Sequence, residues 1–301
     1  MNTRPASSES CGVNGTSGSS GSMVRRILLG SQLRRLRESR GVTREAAGYS
    51  IRASESKISR MELGRVSFKA RDVEDLLTLY GVTDDAEREP LLGLARESNK
   101  AGWWHSYSDV LPGWFQTYVG LEGSASHIHT YEVQFIHGLL QTEDYAHAVV
   151  ASGHRTGLPD EEIDRRVALR LERQKLLLDG SGSQFLCVLD EAALRRPFGS
   201  RAVMDAQLVH LAEVSERPNV TLQVVPFELG GHAAESGAFT LLRFPEPDLS
   251  DVIYLEQLTS ALYVDKREEV QRYDEVLSRL VEFSYSPART RDHLQKLRQL
   301  P

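Results

Sequence analysis

The sequence is poor in cysteine: its 301 residues include two, Cys11 and Cys187. Two cysteines cannot build a disulfide framework or a four-thiolate metal site, and this scarcity is typical of a protein in a reducing compartment. The chain also lacks an apolar run of the roughly 18 to 20 residues that a membrane helix needs. No basic segment followed by an apolar one stands at the N-terminus, so we find no secretory signal. We therefore expect a cytoplasmic protein.

Catalytic and metal-binding motifs are missing as well. There is no Gly-x-Ser-x-Gly turn, and Gly230-Gly231-His232 is not followed by the Lys-Ser/Thr of a phosphate loop, so we interpret it as a hairpin connection. Asp190-Glu191 precedes an Ala-Ala-Leu segment, where carboxylates favour a helix N-terminus. His127 and His129 lie in a pattern that we interpret as helical, which turns the two side chains apart. The sequence predicts no enzyme, no cofactor and no metal site.

Charge is distributed unevenly, although the chain as a whole carries −6. Between Met23 and Arg71 there are 13 basic and 4 acidic residues, a net of +9, whereas residues 72–301 carry 22 basic and 37 acidic residues, a net of −15. A basic end on an acidic body is typical of a protein that brings one end to an anionic polymer. Chance clustering on a solvated helix is the simpler alternative.

Residues 26–97 have the pattern of a helical domain. Residues 1–25 are mainly Ser and Gly with few large apolar groups, and we expect them to be disordered. Five short amphipathic segments follow, separated by helix stops at Gly41, Gly64 and Gly81. The sequence predicts a mainly α domain of five short helices.

The second and third of these segments are joined by a short connection at Ile51-Arg52, which predicts a helix-turn-helix. In that motif the second helix enters the major groove of DNA. Ile58 and Met61 would face inward, and short or hydrogen-bonding side chains would face the bases. The candidate base-contacting residues are Glu55, Ser56, Ser59 and Arg60. The candidate phosphate-contacting residues are Thr43, Arg44, Ser54, Lys57 and Arg65. A helical bundle with a basic face is the alternative.

A different composition begins near residue 98, and residues 98–301 predict a second domain. Its first part is an aromatic cluster with two open interpretations, a core that joins the domains or a pocket for a ligand or partner. The candidate pocket residues are Trp103, Trp104, His105, Tyr107 and Trp114, with Gln116 as a further polar group. Farther on, apolar strand patterns alternate with helical ones, which predicts an α+β fold with an antiparallel sheet packed by helices. Four arginines of residues 160–178 are expected on a salt-bridged surface: Arg165, Arg166, Arg170 and Arg173.

The run from Ile58 to Arg65, Ile-Ser-Arg-Met-Glu-Leu-Gly-Arg, resembles the helix-turn-helix of the phage-repressor-like (Xre) family. The resemblance implies that Glu55, Ser56 and Arg60 contact bases and that Glu62 is structural. It also implies a phosphate clamp at Arg44, where family members commonly carry Gln.

The remainder of the chain resembles large actinobacterial regulators with a DUF5753-type domain, as in WhiJ-like and Scr1-type antitoxin-like proteins. The similar segments are Gly138–Ala146, Arg170–Gln174, Asp190–Arg195 and Pro218–Phe227. The resemblance implies a transcriptional regulator. We expect it to be nucleoid-associated and to bind operator DNA as a homodimer, because one reading helix contacts only ~4 to 5 base pairs, with dimerisation and signal (small-molecule) or partner sensing in the C-terminal domain. Its alternative is an antitoxin-like module that sequesters a small DUF397-type protein, with DNA binding for autoregulation.

Overall fold

The computed structural model describes residues 17–100, 102–153, 157–178, 183–247 and 249–299. The N-terminal domain consists of five helices, as the sequence predicted. They are α1 Ser17–Ser39, α2 Arg44–Ser50, α3 Glu55–Glu62, α4 Ala70–Leu79 and α5 Asp85–Ser98. Its core is formed by apolar side chains from all five helices, among them Leu29, Ala47, Ile58, Val73 and Leu91.

Helix α1 begins earlier than the sequence indicated. Residues 17–25 fall within the segment predicted to be disordered, but they form the first turns of α1, and the remainder of that segment, residues 1–16, lies outside the described residues. The helix is held at this end by packing rather than by local propensity, because Ser22 and Val24 are buried.

The predicted helix boundaries in this domain have clear local causes. Thr43, Ser54 and Asp84 cap α2, α3 and α5 by accepting hydrogen bonds from backbone N–H groups of the first turns. Gly41 and Gly64 both adopt a φ of +65°, the left-handed conformation that ends α1 and α3.

The C-terminal domain contains seven helices, six strands and three short 3-10 helices among the described residues. The 3-10 helices are Trp103–Tyr107, Gly138–Leu140 and Phe227–Leu229. The helices are α6 Gly113–Glu122, α7 Glu143–Ser152, α8 Asp160–Leu178, α9 Glu191–Arg195, α10 Arg201–Val214, α11 Arg267–Phe283 and α12 Pro287–Arg298. The strands are β1 His127–Glu132, β2 Gln184–Asp190, β3 Val220–Val225, β4 Phe239–Arg243, β5 Val252–Glu256 and β6 Ala261–Val264.

The six strands form one mostly antiparallel sheet in the order β3-β2-β1-β4-β5-β6. Strands β4, β5 and β6 are an antiparallel meander, and β4 also pairs antiparallel with β1. Strands β1, β2 and β3 are parallel, which the sequence did not indicate. The hairpin predicted at Gly230-Gly231-His232 is wrong, because β3 and β4 are separated by β2 and β1 and the chain crosses the sheet between them.

Helices cover both faces of this sheet. One apolar cluster joins the strands to α6, α7, α10 and α12, and includes Leu121, Tyr145, Leu211 and Leu294. A second cluster joins the opposite face to α11 through Val270, Leu277 and Leu280. The result is an α+β domain with the sheet as its middle layer. No helix in the described ranges is long and apolar enough to cross a membrane.

Helix α1 belongs to both domains. Its C-terminal half contributes Leu29 and Leu33 to the N-terminal core, whereas Ile27 packs against the core of the C-terminal domain. The helix lies against α3, α5 and α6. Close backbone approach makes this possible, because a side chain at Gly30 would collide with the backbone oxygen atoms of Met61 and Glu62 at the end of α3. The second helix of the helix-turn-helix is therefore positioned by a helix that also contacts the C-terminal domain.

Candidate nucleic-acid interface and interdomain cavity

Helix α3 has the two faces that the sequence predicted. Ile58 and Met61 are each 1% exposed and pack into the domain core. Glu55, Ser56 and Arg60 are exposed on the other side. Because these three side chains follow a helical spacing, they form one outward strip along α3.

The outward strip is largely uncommitted to other groups. The Arg60 guanidinium makes one long hydrogen bond, from Nε to the Ser56 carbonyl oxygen at 3.4 Å. Ser59, the fourth candidate base-contacting residue, is half-buried at the edge of the strip. Arg60 can therefore present its planar fork outward, the geometry that pairs with a guanine edge.

The candidate phosphate contacts fall into two groups. The hydroxyl oxygen atoms of Thr43 and Ser54 cap α2 and α3, accepting from Ala46 N at 3.1 Å and from Lys57 N at 3.2 Å. They order helix N-termini, where backbone N–H groups favour anions. Lys57 is different, because its Nζ donates to Asp72 of α4 at 2.7 Å and its charge is already compensated there.

Arg44 is part of an ion network that holds three helices together. Glu62 of α3, whose side chain is 3% exposed, accepts from Arg37 of α1 and from Arg44 Nε of α2 at 3.0 Å. Arg37 also donates to the Val42 carbonyl oxygen at 2.9 Å. Arg44 keeps about a third of its side chain exposed, 36%, and its remaining guanidinium nitrogen atoms stay available to a phosphate. This arrangement gives Glu62 the structural role that the family resemblance implied.

Two exposed residues beside the turn were missed in the sequence. Arg52 joins α2 to α3 with a φ of +53°, the left-handed region that non-glycine residues rarely adopt. Tyr49, at the end of α2, is 87% exposed. The sharpness of the Ile51-Arg52 connection was the available signal, since a turn that short forces one residue into this conformation.

Most of the aromatic cluster is packed, and part of it borders a cavity. Trp103 and Tyr107 pack with Trp104, Leu111 and Val119 into a small core. Arg165 of α8 lies over the Tyr107 ring, 5.6 Å from its centroid. Trp114 packs against the main C-terminal core, and its carbonyl oxygen accepts from the Tyr263 hydroxyl. These contacts make four of the five candidate pocket residues, all but His105, part of the packing.

Trp104, which belongs to that small core, also lines a cavity between the domains together with His105. The cavity has a volume of about 210 Å³. Its lining combines residues of α1, of the segment after α3, and of the C-terminal domain: Ser22, Arg26, Arg65, Gly102, Trp104, His105, Gly113, Gln116 and Thr117. The cavity therefore contains Arg65, which the sequence assigned to a DNA phosphate. The Arg65 charge also lowers the pKa of Tyr263, which burial raises, so this guanidinium lies close to the C-terminal domain.

A buried polar cluster lies inside the C-terminal domain, and it corrects the expectation for Arg173. The Arg173 guanidinium is buried and donates to both carboxylate oxygen atoms of Glu122, each at 2.7 Å. It also lies over the rings of Phe115 and Tyr118. Burial opposes ionisation of Glu122, but the charge of Arg173 outweighs it and lowers the pKa of that carboxyl.

The surface prediction failed for Arg173 because this side chain faces α6. Arg165 and Arg166 are half-buried and form ion pairs with Asp109 and Glu162, respectively.

The two histidines of β1 also differ from expectation. Residues 127–132 form a strand, so His127 and His129 lie on the same face, with ring centroids 6.0 Å apart. Burial and the nearby charge of Arg243 lower the pKa of His129 to about 4. Within the described part of the chain, no group of three or more His, Cys, Asp or Glu residues is arranged to hold a metal ion.

Glu132, at the end of β1, provides a pH-dependent test of this domain. Burial raises its pKa to about 8, against the hydrogen bond that it accepts from Thr130 Oγ1 at 3.2 Å. The unfolded chain releases this proton near the ordinary pKa of 4.5. Between these two pKa values the folded state binds more protons, so this group makes the free energy of unfolding fall as the pH rises. We expect Glu132→Gln to remove this contribution.

Urea denaturation of wild type and Glu132→Gln, between about pH 5 and about pH 8, measures the effect. The variant should gain stability relative to wild type as the pH rises. Glu282→Gln, at an exposed position of α11, is the matched control and should follow the wild-type profile. Parallel profiles for Glu132→Gln and wild type would show that Glu132 does not keep its proton on folding.

The fold and this interface define a protein in which a helix-turn-helix domain is joined to an α+β domain. The model described as "Domain of unknown function (DUF5753)" matches residues 115–296, and the chain belongs to this family. The model described as "Helix-turn-helix domain" matches residues 28–91. Searches of curated proteins and of solved structures return no match. The helix-turn-helix domain supports a DNA-binding regulator, whereas the function of DUF5753 is unknown.

Proposed function

We propose that the protein is a sequence-specific DNA-binding transcriptional regulator that places α3 in the major groove. The observation that carries the proposal is the outward strip of Glu55, Ser56 and Arg60, opposite the buried Ile58 and Met61. The serine is short enough for the helix to seat deeply. Arg60 can donate to a guanine edge, and the Glu55 carboxylate can accept from a cytosine amino group.

Backbone phosphates would be bound on both sides of this strip. The capped N-termini of α2 and α3 offer backbone N–H groups. Arg44 offers the guanidinium nitrogen atoms that Glu62 leaves free, and Arg52 offers a cation on the turn. We leave Lys57 and Arg65 out of this set, because one is paired with Asp72 and the other lines the interdomain cavity.

We further propose that the protein acts as a homodimer and that the C-terminal domain receives a signal. A single reading helix covers only ~4 to 5 base pairs, and two of them bound to half-sites about 34 Å apart provide useful specificity. A signal can change DNA binding only if it stabilises one arrangement of the domains over another. The contact of α1 with both domains supports such coupling.

Replacing Arg60 by alanine tests the proposal. We expect specific binding to weaken by about 1 to 3 kcal/mol, because one bidentate base contact is lost, with little change on random duplexes. Arg52→Ala should instead weaken binding to all DNA sequences alike. It should also lower the slope of log affinity against log salt concentration by about 1, the value for one lost phosphate contact. The measurement is fluorescence anisotropy with a selected operator and a scrambled duplex, at several salt concentrations.

Arg279→Ala, on the exposed side of α11, is the control and should leave both affinities unchanged. The stoichiometry of the operator complex reports the dimer in the same experiment. If Arg60→Ala lowered the affinities for operator and scrambled duplex equally, its assignment as a base contact would be wrong. If the wild-type protein did not bind DNA duplexes even at low salt, the proposed function as a DNA-binding regulator would be wrong.

A further inference from the structure

The interdomain cavity is lined by positive and neutral groups. Its nine lining residues include Arg26, Arg65 and His105 but no Asp or Glu. Both arginines come from the basic region of residues 23–71, and they face a C-terminal part of the chain, residues 72–301, that carries 37 acidic residues against 22 basic ones. Two guanidinium groups without a facing carboxylate create a local positive potential beside an acidic domain.

The two arginines are only partly satisfied by the protein. Arg26 donates through Nε to the carbonyl oxygen of Ser98 at 3.0 Å, a neutral acceptor. Burial lowers the pKa of Arg26, yet an arginine remains charged at neutral pH. The Arg65 side chain forms no hydrogen bond or ion pair with any described residue. Arg26 is half-buried and gains from an anion that supplies charge and acceptors together, whereas the exposed Arg65 side chain can contact the same anion from the rim of the cavity.

The walls of the cavity are otherwise suited to a compact molecule. Trp104 forms an apolar wall, and its ring lies so close to Gly102 that any side chain there would collide with it. Gln116 and Thr117 add hydrogen-bonding groups. The volume of about 210 Å³ lies below the ~300 to 1,000 Å³ of pockets for drug-sized ligands, which favours a small ligand.

We propose that this cavity is the effector site of the protein and that it binds a small anion carrying a phosphate or carboxylate group. The anion would lie between Arg26 of α1 and Arg65 beyond α3, with the Trp104-His105 segment as the wall from the C-terminal domain. The regulatory part of this inference rests on the proposed function, whereas anion binding itself does not.

The position of Arg65 explains how occupancy would reach the DNA-binding surface. Arg65 follows α3 by three residues, and the intervening Gly64 lies against Ile27 of α1. An anion that neutralises Arg65 lowers the positive potential at the end of α3. It also bridges α1 and the segment that follows α3. Occupancy therefore weakens DNA binding, and by linkage DNA weakens anion binding by the same factor.

Isothermal titration calorimetry of the full chain, without DNA, tests the site with inorganic phosphate and with succinate as probes. We expect at least one probe to bind and to quench tryptophan fluorescence, since Trp104 lines the cavity. Arg65→Gln should weaken that binding about tenfold or more, as expected for the loss of one charge-assisted pair. Arg279→Gln removes an equal charge from the exposed face of α11 and should bind as wild type does. The better probe identifies the head group.

A second variant separates this inference from the proposed function. Arg60→Ala should bind the anion as tightly as wild type, because Arg60 lies on the exposed face of α3 and does not line the cavity. Saturating anion should lower the operator affinity of wild type about fivefold or more and leave Arg65→Gln unaffected. The absence of binding for both probes, or equal binding to Arg65→Gln and wild type, overturns the site. Anion binding without any change in operator affinity overturns its role as an effector site.

Discussion

Replacing Arg173 by methionine is expected to destabilise the C-terminal domain by about 3 to 5 kcal/mol, the usual cost of breaking a buried ion pair. The side chain of Glu122 is 0% exposed and would lose its cationic partner, keeping only the hydrogen bond from Tyr118. His137, a neighbouring base, cannot supply the missing charge, because burial lowers its pKa to about 4. The loss of the cation over the Phe115 and Tyr118 rings adds to the cost.

Chemical denaturation followed by tryptophan fluorescence and far-UV circular dichroism measures this loss. Lys175→Met on the same helix is the control, because Lys175 pairs with Glu172 on the surface and should cost less than about 1 kcal/mol. The double variant Glu122→Gln/Arg173→Met should recover much of the lost stability, since it leaves no unpaired charge. If Arg173→Met changed stability no more than Lys175→Met, the pair would have no structural importance.

Glu62→Ala should have an effect of similar size, about 3 to 5 kcal/mol, confined to the N-terminal domain. The substitution removes the acceptor for Arg37, which is 7% exposed, and for Arg44. The three residues come from α1, α2 and α3, so losing their ion pairs would leave the angle between α2 and α3 less restrained. Under the proposed function, DNA binding should then be lost on every sequence, in contrast to Arg60→Ala.

Glu38→Ala provides the matched loss of a carboxylate. Glu38 also pairs with Arg37, but its side chain is 50% exposed, so we expect a cost below about 1 kcal/mol and normal DNA binding. Hydrogen exchange resolves the two domains and should show faster exchange in α1 to α3 for Glu62→Ala with protection of the sheet retained. Protection of α3 equal to wild type would contradict the proposed role of the network.

Periodicity and capping residues were sufficient to predict the N-terminal domain. Buried apolar residues recur at helical spacing within single helices, as Leu29 and Leu33 do in α1 and Ile58 and Met61 in α3. Thr43 and Ser54 mark helix starts that need no information from the rest of the chain. The outward strip of α3 could be inferred for the same reason. The pairing of strands could not, because β1 and β2 are separated by about 50 residues that include α7 and α8, and nothing local indicates that two strands so far apart pair in parallel.

Side-chain partners distant in sequence were also beyond inference. Arg173 and Arg165 have the same residue type on the same helix, yet only the first meets a buried carboxylate across 51 residues. Arg65 was assigned to DNA because it follows the reading helix, and nothing local indicated that it borders a cavity together with α1 and the Trp104 segment. Charge counts identify basic regions, but tertiary packing decides what each cation contacts.

The extension of α1 to Ser17 changes how the chain can be dissected. A rod of 23 residues is about 35 Å long and resists bending, so tilting one end displaces the other. Cutting the chain near residue 98 would leave α1 on the N-terminal fragment and remove the Ile27 contact from the C-terminal fragment. Each fragment would then expose apolar surface that is buried in the intact chain. Fragments made at that point are therefore expected to aggregate more readily and to be less native-like than the intact chain. Residues 17–39 should be included in both fragments.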